Sequence, residues 1–218
     1  MSLWEKGLIA LLIGSAIVLP APPAALAAGE SASTVLETLS VKGRAPKTGY
    51  TRAQFGPTWS DVDRNGCDTR NDILTRDLTS VIYREGTRNC IVLSGTLIDP
   101  FSGETIAFTR GVTTSSQVQI DHSVALSDAW QKGAQQLSLA TRTAFANDPL
   151  NLMAVKGRLN SQKGAGDAAT WLPPLKSFRC AYVARQVAVK AKYSLWVTLA
   201  EKNAIRGILS TCPDQRLP

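Results

Sequence analysis

The spacing of hydrophobic and polar residues changes near residue 122, from strand-like to helical. Before that point, short runs of alternating or β-branched residues predict strands. After it, apolar residues recur at the spacing of a helix face. The predicted strands cover 80–84, 90–98, 105–110 and 117–121, and the predicted helices cover about 69–78, 124–132, 138–146, 177–195 and 198–210, with a short apolar segment at 150–155 and a short helix beginning near Arg158.

A turn at 99–103 predicts a hairpin of 90–98 with 104–110, because Asp-Pro-Phe-Ser-Gly is rich in turn residues. No internal repeat is visible, and 44% of the 218 residues are apolar, which is enough for one well-buried core. The order of elements predicts an α+β fold, with a small antiparallel sheet, an active-site loop and flanking helices.

Residues 1–27 predict a secretory signal peptide, since an apolar stretch at 7–19 precedes a small-residue cleavage site at 25–27. The stretch is shorter than the roughly 20 residues that a helix needs to cross a bilayer, so no stable membrane span is expected after processing. An uncleaved leader would anchor the protein in the membrane. Residues 28–49 are basic and punctuated by Gly and Pro, which predicts a flexible arm, and 50–218 would form a single, monomeric domain.

Export changes the expected state of the four cysteines, because an oxidising compartment favours two disulfides. Cys67–Cys90 and Cys180–Cys212 are the favoured pairs, since each closes a local loop, although two other connectivities are open. The chain carries 24 basic against 17 acidic residues, a net charge of +7. That balance favours a polyanionic partner such as nucleic acid, an anionic cell-wall polymer or a membrane surface.

His122 is the single histidine, which excludes a histidine-rich zinc site and confines imidazole chemistry to one residue. It follows Asp121 directly at the end of a predicted strand. A second short strand and a helix would bring Asp121, His122 and Asn160 around one metal-sized volume. Phosphodiester hydrolysis requires a base to deprotonate water and a cation to neutralise the phosphate, and these side chains can supply the base and the oxygen ligands for the cation.

Three ordered segments extend this pattern: Ile120-Asp121-His122, Pro149-Leu150-Asn151-Leu152 and Leu159-Asn160-Ser161-Gln162-Lys163-Gly164. In these segments the sequence resembles the HNH, or ββα-metal, nuclease superfamily. It is most similar to secreted HNH proteins related to the C-terminal domain of GmrSD-type restriction enzymes. The core motif covers about 117–164, and the flanking segments 49–52, 63–72 and 168–174 extend the resemblance over most of the mature chain. The resemblance implies a ββα-metal motif within the α+β fold.

The resemblance implies a metal-dependent endonuclease acting on DNA, or alternatively on RNA. His122 would be the general base, and Asn151 would fix the loop that aims it. Asp121 and Asn160 would bind one divalent cation, Mg²⁺ or another such as Mn²⁺.

Two cations complete the implied site, because Lys163 and Arg158 would contact the substrate phosphate. The implied products carry a 5′-phosphate and a free 3′-hydroxyl. The sequence departs from the family pattern in two places: Asn160 stands where many members have histidine, and the segment between His122 and Asn151 is longer than in minimal motifs.

Other interpretations of the same residues remain open. The alternative function is that of a non-catalytic extracellular protein that binds nucleic acid or cell-wall polymer. A thiol hydrolase would use Cys67 or Cys180 as nucleophile with His122 as base, and it requires a free thiol. Residues 61–66 partly match a calcium loop, although a turn tied by a disulfide to Cys90 is the simpler interpretation.

Overall fold

Five strands form two separate antiparallel sheets in residues 29–218, the part of the chain that this computed structural model describes. β1 (Leu78–Tyr83), β2 (Val92–Ile98) and β3 (Thr105–Thr109) form one sheet in that order, which confirms the predicted hairpin of β2 with β3. β4 (Val118–His122) pairs with β5 (Leu152–Lys156) in the other. The α+β prediction is confirmed, with two small sheets in place of one. The predicted signal peptide lies outside the described residues.

Seven α-helices accompany the strands in this part of the chain, and all but the first follow the predicted ones closely. Three begin with a side-chain cap, because Asp68, Ser138 and Thr198 each accept a hydrogen bond from the backbone N–H three residues later. The helices are α1 (Ala32–Thr38), α2 (Thr69–Asp77), α3 (Leu126–Gln131), α4 (Leu139–Ala146), α5 (Gly157–Lys163), α6 (Arg179–Lys192) and α7 (Leu199–Leu209).

β5 lies at the centre of the fold and is buried on both faces. Because successive side chains of a strand point to opposite sides, Leu152 and Ala154 pack with α2 and the three-stranded sheet. Met153 and Val155 pack on the other side, with apolar residues of α1, α6 and α7. This double burial explains why β5 is a continuous apolar run in the sequence.

Residues 29–49 differ from the flexible arm expected for 28–49. Ala32, Val35 and Leu36 of α1 are buried in the same core as α6. Further along, Val41 pairs with Val197 in a parallel bridge, and the Lys42 N–H donates to the Val197 carbonyl at 3.0 Å. The segment is held by partners far along the chain, which local Gly, Pro and Lys content does not reveal.

Both predicted disulfides are present. Cys67–Cys90 ties the loop before α2 to the segment that leads into β2, and Cys180–Cys212 ties α6 to the residues after α7. All four cysteines of the chain are therefore paired, which contradicts the thiol-hydrolase hypothesis, because that chemistry needs a free thiol.

A buried network of charges joins the helical half of the molecule. The Lys132 ammonium lies 2.7 Å from a carboxylate oxygen of each of three acidic residues, and the Lys190 ammonium lies 2.9–3.3 Å from two of the same residues. A guanidinium adds contacts of 2.9 and 2.7 Å to two of them. Three cations thus balance three carboxylates, and we call this the balanced cluster: Arg44, Asp128, Lys132, Asp167, Lys190 and Glu201.

Candidate active site

β4, β5 and α5 form one continuous ββα unit. In the antiparallel pairing, His122 lies opposite Leu152, and α5 begins directly after β5. Its first residue is glycine for a steric reason, since a Cβ on Gly157 would lie 2.0 Å from the Ser116 carbonyl oxygen. The absence of a side chain lets α5 start close to the segment that leads into β4, and this brings Asn160 toward Asp121.

Asp121, His122 and Asn160 line one small cavity of about 90 Å³. The three residues come from the end of β4 and the middle of α5, as the sequence pattern predicted. Arg52 lines the same cavity from a short 3-10 turn at 52–55. The cavity therefore brings together a carboxylate, an imidazole, an amide and a guanidinium.

The His122 ring is held in one tautomer by the end of a helix. Its Nε2 lies 2.8 Å from the carbonyl oxygen of Ala146, the last residue of α4, where helix carbonyls lack an intrahelical partner. A carbonyl only accepts, so Nε2 donates, and the lone pair of the neutral ring is on Nδ1. Nδ1 has no hydrogen bond to any residue in 29–218.

Burial controls the charge of this ring. His122 is only 8% exposed, and burial lowers its pKa to about 3, against the opposing effect of the Ala146 hydrogen bond and with help from the positive charges of Arg52 and Lys163. Trp59 stacks on the ring at a centroid distance of 6.0 Å and an angle of 15°. The imidazole is consequently neutral at neutral pH.

Asn151 fixes the backbone that follows His122. Its side-chain oxygen accepts from the Val124 N–H at 2.9 Å, and its side-chain nitrogen donates to the Val124 carbonyl at 3.3 Å. Its backbone carbonyl accepts from the Ser123 N–H at 2.7 Å. The residue is fully buried, so its contacts are those of a loop-fixing residue.

Two further side chains bind the carbonyls of His122 and Ser123, the two residues before Val124. The buried Lys163 ammonium donates to the His122 carbonyl at 2.8 Å. Gln186 of α6 donates to the Ser123 carbonyl at 2.9 Å. Together with Asn151, these residues satisfy three consecutive buried carbonyls, which fixes the direction of the chain as it leaves β4.

Asp121 is a buried carboxylate with one oxygen satisfied. Its Oδ1 accepts from Lys163 Nζ at 2.8 Å, whereas Oδ2 is buried and has no hydrogen-bond partner within residues 29–218. Burial raises the pKa of this carboxyl, although the Lys163 charge opposes the shift. An unsatisfied buried oxygen is costly, so a group that supplies positive charge to Oδ2 would be stabilising.

The orientation of Asn160 follows from a chain of hydrogen bonds that begins at the backbone. The Ser116 carbonyl can only accept, so Gln119 turns its Nε2 toward that oxygen, at 3.4 Å. Gln119 Oε1 then accepts from Asn160 Nδ2 at 2.9 Å. Asn160 Oδ1 is left without a hydrogen bond to the described residues and is available as a ligand.

With this geometry in place, comparison with known proteins identifies the family. Residues 68–208 match the family of GmrSD restriction endonucleases, C-terminal domain. The chain belongs to the GmrSD C-terminal domain family. A relative described as an uncharacterized secreted protein of Arthroderma benhamiae is 37% identical over 195 residues, which cover 88% of this chain and 90% of the relative. No solved structure shows significant similarity to the chain.

The two cations expected to contact phosphate occupy different environments in this GmrSD C-terminal domain protein. Arg158 is exposed on α5, makes no side-chain hydrogen bond within residues 29–218 and does not line the cavity. The Lys163 side chain is 0% exposed, and its ammonium forms an ion pair with Asp121 and donates a hydrogen bond to the His122 carbonyl. These contacts hold the Asp121 carboxylate and the backbone of His122 in position.

Three contributors to the site were not predicted from the sequence: Arg52, Trp59 and Gln119. For Gln119 a signal existed, because it lies two residues before Asp121 and therefore on the same face of β4. Arg52 stands in a flanking segment of the resemblance, 49–52, but that segment indicated no role for it, and Trp59 carries no such signal; both residues precede the part of the chain that matches the GmrSD C-terminal domain family.

The candidate calcium loop at 61–66 closes on itself. The Asp61 carboxylate accepts from the backbone N–H groups of Asn65 and Gly66 at 3.1 and 3.0 Å. Within residues 29–218, no three His, Cys, Asp or Glu side chains are grouped closely enough to hold a metal ion. The interpretation as a turn tied through Cys67 to Cys90 therefore fits the geometry.

Proposed function

We propose that the protein is a secreted, metal-dependent endonuclease that hydrolyses phosphodiester bonds in DNA, with RNA as the alternative substrate. Membership of the GmrSD C-terminal domain family supports a nuclease. The observation that carries the proposal is the shared cavity of about 90 Å³, which is lined by a carboxylate with an unpaired buried oxygen, a neutral imidazole and an amide with a free oxygen.

The residues present fit a single hard cation. Asp121 Oδ2 and Asn160 Oδ1 are oxygen donors without hydrogen-bond partners among the described residues, and Mg²⁺ prefers oxygen ligands while retaining several waters. A site with one carboxylate and one amide suits an ion of that kind. Asp121 and Asn160 would hold Mg²⁺ or Mn²⁺, which when bound would neutralise charge on the phosphate and on the departing 3′ oxygen.

His122 would act as the general base at Nδ1. The hydrogen bond from Nε2 to Ala146 keeps Nδ1 unprotonated, so this atom can accept a proton from a water molecule as the water attacks phosphorus. The ring would then carry a proton on both nitrogens until Nδ1 releases one to solvent. Asn151 and Lys163 would act as positioning residues, because they hold the backbone at Val124 and His122.

Export is part of the proposal. The signal peptide at 1–27 is supported by the secreted relative and by two disulfides, which form and persist in oxidising compartments. None of the helices in residues 29–218 is long and apolar enough to span a bilayer. We propose that the mature protein acts as a monomer.

Cleavage of supercoiled plasmid by the purified protein tests the function, with Mg²⁺ or with chelator. His122→Ala is expected to lower the rate by about 10²–10⁴-fold, the usual contribution of a general base. Asn160→Ala is expected to lower it as well, and added Mg²⁺ should partly restore the rate. Asn203→Ala, at an exposed asparagine of α7, is the matched control and should cleave like wild type.

Unchanged cleavage by His122→Ala would contradict the mechanism. If the wild-type protein retards the plasmid on a gel but does not cut it with Mg²⁺, Mn²⁺, Ca²⁺ or Zn²⁺, the function is that of a nucleic-acid-binding protein. The net charge of +7 is what supports that second candidate.

A further inference from the structure

We propose that Arg52 is the substrate-binding cation of this site and contacts the phosphate next to the scissile bond. The role rests on the proposed nuclease function and deepens it. Arg52 lines the cavity shared by Asp121, His122 and Asn160, and it also lines a second, narrower cavity between Trp59 and His122. The residue therefore borders the candidate general base on two sides.

The backbone of Arg52 is anchored although its side chain is exposed. Phe55, at the other end of the same 3-10 turn, is 1% exposed and packs with Trp130 and Phe145 at centroid distances of 6.3 and 5.9 Å. The Gln54 carbonyl accepts from Arg142 at 2.6 Å. The turn therefore presents the guanidinium from a fixed position on the domain.

Arg52 makes no ion pair or side-chain hydrogen bond within residues 29–218. Most other arginines of this part of the chain donate to protein carbonyls, amides or carboxylates, as Arg44, Arg110 and Arg142 do. Those without such a contact are Arg52, Arg64, Arg84, Arg88 and Arg158. Of these, Arg52 lines the cavity and the others do not.

The chemistry of the site requires an accessible cation of this kind. Lys163 is buried against Asp121, so its charge is already compensated inside the protein. Phosphodiester hydrolysis builds negative charge on the phosphate oxygens, and a guanidinium offers two parallel N–H donors to such oxygens.

Two measurements on the same variants test the role. Arg52→Gln should lower kcat/KM for plasmid or duplex cleavage by about 10–100-fold, the cost of one charge-assisted hydrogen bond. In a His122→Ala background, anisotropy with a short fluorescent DNA duplex gives Kd as a function of salt. There, Arg52→Gln should reduce the slope of log Kd against log salt by about 0.9, as expected for one lost phosphate contact.

Arg52→Lys separates charge from geometry. It should keep the salt slope and recover only part of kcat/KM, because an ammonium lacks the guanidinium fork. Arg84→Gln is the matched control, since Arg84 is also exposed and unpaired but does not line the cavity. It should leave both measurements unchanged. Thermal unfolding of each variant checks that the fold is intact.

The outcomes distinguish this inference from the proposed function. If wild type cleaves DNA and Arg52→Gln matches Arg84→Gln in both rate and salt slope, the role of Arg52 is wrong and the nuclease stands. If wild type binds the duplex without cutting, the nuclease proposal fails, and the salt slope still decides whether Arg52 contacts phosphate.

Discussion

Two groups of buried charged side chains in residues 29–218 differ in what they leave unpaired. In the balanced cluster, each carboxylate oxygen of Asp128, Asp167 and Glu201 lies within 3.3 Å of a cation or a backbone N–H. In the active-site pair of Asp121 and Lys163, the Oδ2 atom of Asp121 has neither a hydrogen bond nor an ion pair within residues 29–218. The first group is complete without a ligand, whereas the second is incomplete.

The pKa values of the carboxyls record the same difference. Burial raises the pKa of Asp128, but Lys190 and Lys132 outweigh it and hold the value below normal. For Asp121, burial raises the pKa and the single Lys163 does not overcome it. The balanced cluster is thus neutralised internally, whereas the pair that we propose to take part in catalysis keeps a place for an external charge.

The largest expected effect comes from breaking the balanced cluster. Lys132→Met removes the ammonium that contacts Asp128, Asp167 and Glu201 and leaves their buried charges undercompensated. We expect a loss of about 3–5 kcal/mol in the free energy of unfolding, measured by urea denaturation, because uncompensated buried charge is strongly destabilising.

Lys156→Met supplies the control for that measurement. Lys156 also forms an ion pair, with Glu104, but both side chains reach solvent. Its loss should cost no more than about 1 kcal/mol. Equal effects of the two substitutions would mean that the buried cluster contributes no more than a surface pair.

A smaller effect is expected from loosening the active site. Gln119→Leu removes the acceptor that orients Asn160, so the Asn160 amide is free to rotate. We expect the Kd for Mn²⁺, measured by calorimetry, to rise by about 10–100-fold, as is usual when a group that orients a metal ligand is lost. The free energy of unfolding should change much less than in Lys132→Met.

Gln162→Leu is the matched control, since Gln162 lies exposed on α5 close to Asn160. Gln119→Glu keeps the acceptor for Asn160 Nδ2 but loses the donor to the Ser116 carbonyl, so we expect an affinity between those of wild type and Gln119→Leu. If Gln119→Leu binds Mn²⁺ as wild type does, Gln119 has no part in orienting the ligand.

Local signals in the sequence predicted most of the fold. Asp68 marks the start of α2 because its short side chain caps the free N–H groups there, and periodic apolar residues define α6. The separation of β4 and β5 from the other sheet was not predictable, since alternation of residues does not specify strand partners. The docking of 29–49 was missed because Arg44 meets Asp128 and Asp167 only in the folded chain.

The candidate site was predictable only in part. Asp121, His122 and Asn160 stand in an ordered motif on three consecutive elements, and the structure brings them to one cavity. Long-range packing decides two further features of the site. The packing of α5 buries Lys163, and the packing of the turn around Phe55 leaves Arg52 exposed beside His122. Neither fact is encoded in residue spacing.

The smallest expected effect concerns how the free energy of unfolding depends on pH. Burial raises the pKa values of Asp128 and Asp167, but their lysine contacts outweigh it, and both values lie below normal. Such carboxyls stabilise the fold above their unfolded pKa of about 3.9, and the contribution disappears as pH falls through the lower folded values. We therefore expect the contribution of these two carboxyls to stay nearly constant between pH 7 and 5 and to fall steeply below pH 4, whereas the neutral His122 ring, whose pKa is lowered to about 3, already costs stability as pH falls below about 6.5.

Urea denaturation between pH 7 and 2.5 measures this dependence. Glu37→Gln is the control, because contacts with Arg206 and Lys202 lower the pKa of this surface carboxyl as well. Its removal should leave the acid transition in place, since a solvent-screened carboxyl contributes little. A transition that moved with Glu37, or a stability that stayed constant down to pH 2.5, would place the acid sensitivity outside the balanced cluster. The expected result instead makes the balanced cluster the source of the steep loss of stability below pH 4.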